Sequence, residues 1–130
     1  MRCLLDTHTW VWAQLQPERL SRTAAALIAD PSAGACLSPV TLHEVHLLVE
    51  RGRVQIEMAP LVWIRTSLIR RPFPILDVTA EIAVGARNLE GYTNPDPFDR
   101  LLLATARAHL IPIVTKDASM HTWGGVPVIW

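Results

Sequence analysis

Five short apolar runs, none longer than a strand, are separated along this chain by stretches with helical periodicity. The runs are Cys3-Leu4-Leu5, Ala35-Cys36-Leu37, Ile75-Leu76, Ile111 to Val114 and Val126 to Ile129. Thr7 to Leu15 reads as a helix stopped by Pro17, and Ser21 caps a second that runs through Ala29 and closes at Asp30-Pro31. Thr41 opens a stripe of Leu42, Val45, Leu48 and Val49, reaching about Arg51 with Gly52 as its stop. Further helices are expected over Pro60 to Arg70, with Leu61, Ile64 and Leu68 on one face, and from Thr79 to about Leu89. Gly91 to Pro95 is a loop by composition. Asp96-Pro97 then caps and starts the strongest helix, whose apolar face includes Leu101, Ala104, Thr105 and Ala108. Strands alternating with helices can be joined in one sheet only by crossovers, which predicts a mainly parallel sheet of about five strands with helices on both faces. No linker or repeat interrupts the pattern, so residues 1–130 read as one α/β domain.

Half of the 130 residues are hydrophobic, enough for a real core and too many for a disordered chain. Twelve basic residues balance twelve acidic ones. That argues against a surface basic everywhere and leaves room for a local patch. Eleven of the basic residues are arginine and one is Lys116, a ratio that fits either phosphate recognition or a compositional bias. Cys3 and Cys36 are too few for a disulfide framework or a thiolate zinc cage, and each sits in an apolar run as a buried thiol would. Asp6 cuts short any signal-peptide core, and no apolar stretch approaches the ~18 residues needed to span a bilayer. A soluble, cytoplasmic protein without membrane contact is the expectation.

In open α/β sheets, sites form beyond the carboxyl ends of the strands. Asp6 directly follows the first strand, Glu44 lies early in the helix after the second, and Asp117 lies in the loop leaving Val114. Asp96 and Asp99 begin the helix that leads into the fourth strand. Each has a local alternative. Thr41-x-x-Glu44 fits a capping box, Asp96-x-x-Asp99 fits a helix cap, and Asp117 can shape a turn. Asp6, ending a buried strand, has no evident local task. Together they form a cluster whose charges repel unless a hard cation relieves them, and Mg²⁺ suits a few carboxylates with water and phosphate oxygens. The chemistry this implies is metal-assisted phosphodiester hydrolysis.

The same residues carry a resemblance. Leu4-Leu5-Asp6-Thr7-His8, Glu44 in Leu-His-Glu-Val, Asp96-Pro97-Phe98-Asp99-Arg100 with the following Leu-Leu-Leu-Ala, and Thr115-Lys116-Asp117 resemble a PIN-domain ribonuclease of the VapC toxin type, over nearly the whole chain. The resemblance implies a three-layer α/β/α fold and metal-binding, catalytic acids at Asp6, Glu44, Asp99 and Asp117. It implies supporting roles for Asp96, for Thr115 as the hydroxyl that orients the cluster, and for Arg100 as a salt-bridge or phosphate contact. It further implies a toxic endoribonuclease cutting transfer or ribosomal RNA with Mg²⁺ or Mn²⁺, a homodimer, and a small VapB-type antitoxin as partner. One departure is visible: Tyr92-Thr93-Asn94-Pro95 stands where relatives often have a basic residue before the Asp-Pro-Phe-Asp-Arg segment.

Rival readings are a catalytically idle domain of the same fold that binds RNA or a partner, and a receiver-type phosphoacceptor domain. The receiver needs two adjacent acids after the first strand, where this chain has Asp6-Thr7-His8. His43 and His46 flank Glu44 without forming the H-E-x-x-H spacing of a zinc site, and His8 reads as a surface residue. Trp10 and Trp12, two apart on one helix, point to nearly opposite faces. One is expected in the core, the other against a neighbouring helix or a second chain. With five acids drawn into one cleft, twelve basic groups would face seven acidic ones elsewhere.

Overall fold

The computed structural model describes residues 2–130; Met1 lies outside the described residues. Four short strands, β1 (Cys3–Leu5), β2 (Ala35–Cys36), β3 (Ile113–Val114) and β4 (Val128–Ile129), form one sheet in the order β2-β1-β3-β4, with every pairing parallel. Among the described residues seven α-helices connect them: α1 (Thr7–Leu15), α2 (Arg22–Ala29), α3 (Pro39–Glu50), α4 (Pro60–Arg70), α5 (Ala80–Gly85), α6 (Pro97–His109) and α7 (Ala118–Trp123).

The sheet is buried on both faces, and β1 shows how. Its side chains alternate between two cores, as the pleat requires. Leu4 joins Leu102, Leu103, Ile113 and Met120 on one side. Cys3 and Leu5 join Trp10, Val45, Trp63 and Val114 on the other. Both cysteines are buried free thiols, as expected.

Five elements differ from the sequence expectation. The fifth strand at Ile75-Leu76 is a single parallel bridge to Leu37. Pro72 and Pro74 beside it lack the N–H groups that would extend a ladder, so pairing stops after Leu37 N–H donates to the Pro74 carbonyl and Leu76 N–H to that of Leu37. The third expected helix, α3, begins at Pro39, capped by Ser38, whose Oγ accepts from Val40 N–H. This displaces the capping box expected at Thr41, and Glu44 falls a full turn inside the helix. On α4 the buried face is Trp63, Ile64 and Ser67, whereas Leu61 is 56% exposed. On α6 it is Leu102 to Ala106, and Ala108 is exposed. Finally, α7 occupies what read as a loop after Asp117.

The strand order matters for function. The chain leaves β1 for β2 on one side and later returns to β3 on the other. Between β1 and β3 the connections diverge to opposite sides, and the carboxyl ends of the strands open into a crevice there. Residues just after β1 and β3 therefore meet.

Candidate active site

Asp6 and Thr115 are the residues that meet. Thr115 Oγ1 donates to Asp6 Oδ2 at 2.8 Å and accepts from Asp117 N–H at 3.0 Å, tying the ends of two strands together. Asp6 Oδ1 accepts from Thr7 N–H at 2.8 Å, so Asp6 is also the N-cap of α1. The local task that the sequence did not reveal is thus a helix cap, and both carboxylate oxygens are held in fixed directions. Burial pushes the Asp6 carboxyl above its ordinary range, opposed by the Thr115 hydrogen bond.

Glu44 reaches the same place from α3. It is buried, and its Oε1 has no hydrogen-bond partner. An unpartnered buried carboxylate oxygen is costly unless something else fills its coordination. Its carboxyl is pushed up, chiefly by burial and further by the charges of Asp6 and Asp96. Beside it, the buried hydroxyls of Thr7 and Thr41 lie 3.0 Å apart and bind one another. In the sequence Thr41 stood out only as a helix start and Thr7 only as the residue after Asp6 that begins the first helix.

Asp96 caps α6, its Oδ1 accepting from Phe98 N–H at 2.9 Å and Asp99 N–H at 3.3 Å. That cap fixes the first turn and presents Asp99 to the crevice. The Asp99 carboxyl is raised to about 8, first by burial and then by the negative fields of Asp6, Asp96, Asp117 and Glu44. One residue thus feels all the other acids. Asp117 caps α7 through Oδ1, which accepts from Ser119 N–H at 2.8 Å and Met120 N–H at 3.1 Å. The turn-forming alternative for Asp117 gives way to a helix start, and Ser119 joins the site as its hydroxyl partner.

The five acids expected to converge are linked by their fields, since Asp99 feels Asp6, Asp96, Asp117 and Glu44. Three of them cap helices, so the partial positive charge of three helix starts faces the cluster and offsets part of its repulsion. Among the described residues, no three acidic, histidine or cysteine side chains form a ready-made cage. The acids share a field more than a contact, which suits an ion that keeps part of its water shell. The orphaned Glu44 oxygen and the raised Asp99 carboxyl both fit a divalent cation, since added positive charge would relieve each of them.

Arg100 binds backbone carbonyls instead of the salt-bridge partner weighed for it. Its Nε donates to the Ala86 carbonyl at 2.8 Å, and its Nη1 donates to the carbonyls of Tyr92 and Asn94, each at 3.0 Å. The guanidinium pins the 86–94 segment against α6, and among the described residues it makes no ion pair. The pinned segment includes Asn94, whose Oδ1 accepts from Asp96 N–H at 3.0 Å. Arg100 acts on the cluster through that loop. Tyr92, part of the sequence departure noted above, binds Ser119 through its hydroxyl at 3.2 Å.

The two tryptophans divide as expected. Trp10 is wholly buried, edge-on to Trp63 with centroids 5.4 Å apart. Trp12 is half-buried and edge-on to Trp130 at 6.1 Å.

Residues 3–123 match the PIN domain family model. The chain is 33% identical over 121 residues to Ribonuclease VapC22 of Mycobacterium tuberculosis, covering 92% of this chain and 89% of that one. Among solved structures it is similar to VapBC2 from Rickettsia felis bound to a DNA fragment from its promoter, with TM-score 0.72, 14% identity and coverage of 99% and 98%. It is similar also to FitAcB from Neisseria gonorrhoeae, with TM-score 0.70, 21% identity and coverage of 98% and 96%. At these identities the two structures speak to the fold alone.

Proposed function

The chain belongs to the PIN-domain family, and we propose accordingly that it is a toxic endoribonuclease of a toxin–antitoxin pair, hydrolysing RNA phosphodiester bonds with the help of a divalent metal ion. What supports the chemistry is the buried, unpartnered Oε1 of Glu44, together with the fields of Asp6, Glu44 and Asp117 that Asp99 feels. These four acids would hold the ion, Mg²⁺ or alternatively Mn²⁺, with Asp96 as a neighbouring support. When bound, such an ion supplies charge neutralisation and Lewis acidity to the reacting phosphate. The chain's own residues do the positioning. Thr115 fixes the rotamer of Asp6, and the Asp96 and Asp117 caps hold α6 and α7 with their starts toward the cleft. Burial excludes water from Asp6 and Glu44, which strengthens their hold on positive charge.

The relative from Mycobacterium tuberculosis is named a ribonuclease, which supports the nuclease reading. Similar structures include one named a toxin–antitoxin complex from Klebsiella pneumoniae and one named a member of the VapBC family of toxin–antitoxin systems from Mycobacterium tuberculosis, which supports a cognate small antitoxin as partner. Residues 1–130 act as one nuclease domain, working as a homodimer on transfer or ribosomal RNA in the cytoplasm. Among the described residues no helix is long and apolar enough to cross a membrane.

The test is cleavage of a structured RNA with Mg²⁺ and with EDTA, for the wild type, Asp6→Asn and Asp99→Asn. Asparagine caps helices about as well as aspartate, so Asp6→Asn keeps α1 while removing charge. Loss of cleavage in both variants with an unchanged circular dichroism spectrum is expected. Wild-type rates in both, or cleavage indifferent to EDTA, would overturn the mechanism.

A further inference from the structure

The acid cleft continues into a second groove. Asp6 and Asp117 line a cavity of about 320 Å³ together with His8, Trp12 and Lys116. His8 and Trp12 also line a neighbouring groove of about 650 Å³, together with Arg19 and Arg53. Among the described residues, none that lines this larger groove is acidic. Polarity thus reverses along one path, from carboxylates to an aromatic shelf to arginines.

The shelf is built from several elements. Trp12 stands edge-on to Trp130, with the His8 ring 5.9 Å away and tilted, and the Arg19 guanidinium 4.3 Å from the Trp12 ring centre. His8 is exposed, as are Arg19, Arg53 and Lys116. Among the described residues none of these cations makes an ion pair with a carboxylate. The core already has its aromatic anchor in Trp10, so Trp12 is not needed there. Planar surfaces for bases, interleaved with unpaired guanidinium groups at a groove leading to acids, are the elements that hold a single strand of nucleic acid.

The geometry points to this groove as the seat of single-stranded RNA beside the cleaved phosphate. A base packs against the exposed His8 ring beside Trp12, whose own ring carries the Arg19 guanidinium, and the adjoining phosphates are met by Arg19 and Arg53. These are positioning residues, and they select unpaired RNA because a base inside a duplex has no free face for the shelf. The inference rests on the ribonuclease reading and adds to it a strand path and a structural preference.

The test is fluorescence anisotropy with a labelled mixed-sequence single-stranded RNA of about ten nucleotides, run in EDTA across a salt series. Trp12→Ala is expected to weaken binding roughly five- to a hundredfold while leaving the salt slope unchanged. Arg19→Gln and Arg53→Gln should each flatten the slope of log affinity against log salt by about 0.7, the signature of one lost phosphate contact to a single strand. Trp12→Phe guards against a folding artefact, because it keeps an aromatic face and should retain most of the affinity. A duplex of the same sequence should bind more weakly to the wild type and be indifferent to Trp12→Ala. Unchanged single-strand affinity and slope in all the variants overturn the proposal. If those variants instead change the elution volume on size exclusion, the groove is a contact between copies of this chain, which overturns it equally. Whether wild type cleaves RNA with Mg²⁺ is read separately, so a failure of the nuclease reading is distinguishable from a failure of this one.

Discussion

The two ends of the path across this molecule handle charge in opposite ways. At the acid end, Asp6 and Glu44 are buried, and the Asp99 pKa rises to about 8, first by its own burial and then by the like charges around it. At the arginine end, Arg19 and Arg53 stand in water, where solvent and salt screen them. The first arrangement stores electrostatic tension that a cation can relieve. The second stores none and attracts anions weakly and reversibly. Water exclusion, more than the count of charges, decides which region reacts and which only guides. The balanced net charge of the chain hides both.

Removing a carboxylate should break this contrast most sharply. Asp99→Asn is expected to lower cleavage about a hundredfold or more, the scale at which a group stabilising transition-state charge usually counts. The same variant should raise the melting temperature of the metal-free protein near pH 8, because it removes a charge that the fold resists. A variant that loses activity and also melts lower would show that Asp99 is a structural acid.

A smaller loss, about ten- to a hundredfold in metal affinity, is expected for Thr115→Val, which removes the hydrogen bond orienting Asp6 and leaves its charge in place. Titration of Mg²⁺ against cleavage rate measures this, and rescue by Thr115→Ser identifies the hydroxyl as the cause. An unchanged Mg²⁺ requirement would remove Thr115 from the account.

The pH dependence of stability sharpens the comparison further. The Asp99 pKa rises from 3.8 to about 8 on folding. The charged form is therefore disfavoured in the native state. Its contribution is fully present below the unfolded value and is lost as pH rises through the folded one. Asp6 and Glu44 shift in the same direction. Metal-free protein should melt progressively lower from about pH 5 to about pH 8, and added Mg²⁺ should restore part of the loss at the upper end. A melting temperature that rises over this interval would contradict crowding of the acids.

The smallest effect belongs to the other end. Arg53→Gln should leave the melting temperature within the range of a surface change, about 0.5 kcal/mol in either direction, at every pH. A larger shift would mean that Arg53 supports the fold.

Much of the site was legible because its members follow local signals. Asp6 ends an apolar run, and Asp96-Pro97 is a helix start in any context. Arg100 was not legible. Its three acceptors are carbonyls of Ala86, Tyr92 and Asn94, in an aperiodic segment whose path no residue pattern announces. For Glu44 the local alternative gave way: Ser38 moved the helix start upstream and left the glutamate free of capping. The bridge at Ile75 failed to become a strand because flanking prolines withhold donors, a rule visible in the sequence but outweighed there by the apolar dipeptide.

By itself, the sequence determined the alternation of elements, the two-sided burial of β1 and the set of acids able to serve chemistry, since periodicity and capping act over a few residues. Only the tertiary structure decided what those acids do together. Asp6 and Thr115 are 109 positions apart and touch only because the sheet places β1 beside β3. The raised Asp99 carboxyl likewise exists only once folding buries it within the fields of Asp6, Asp96, Asp117 and Glu44.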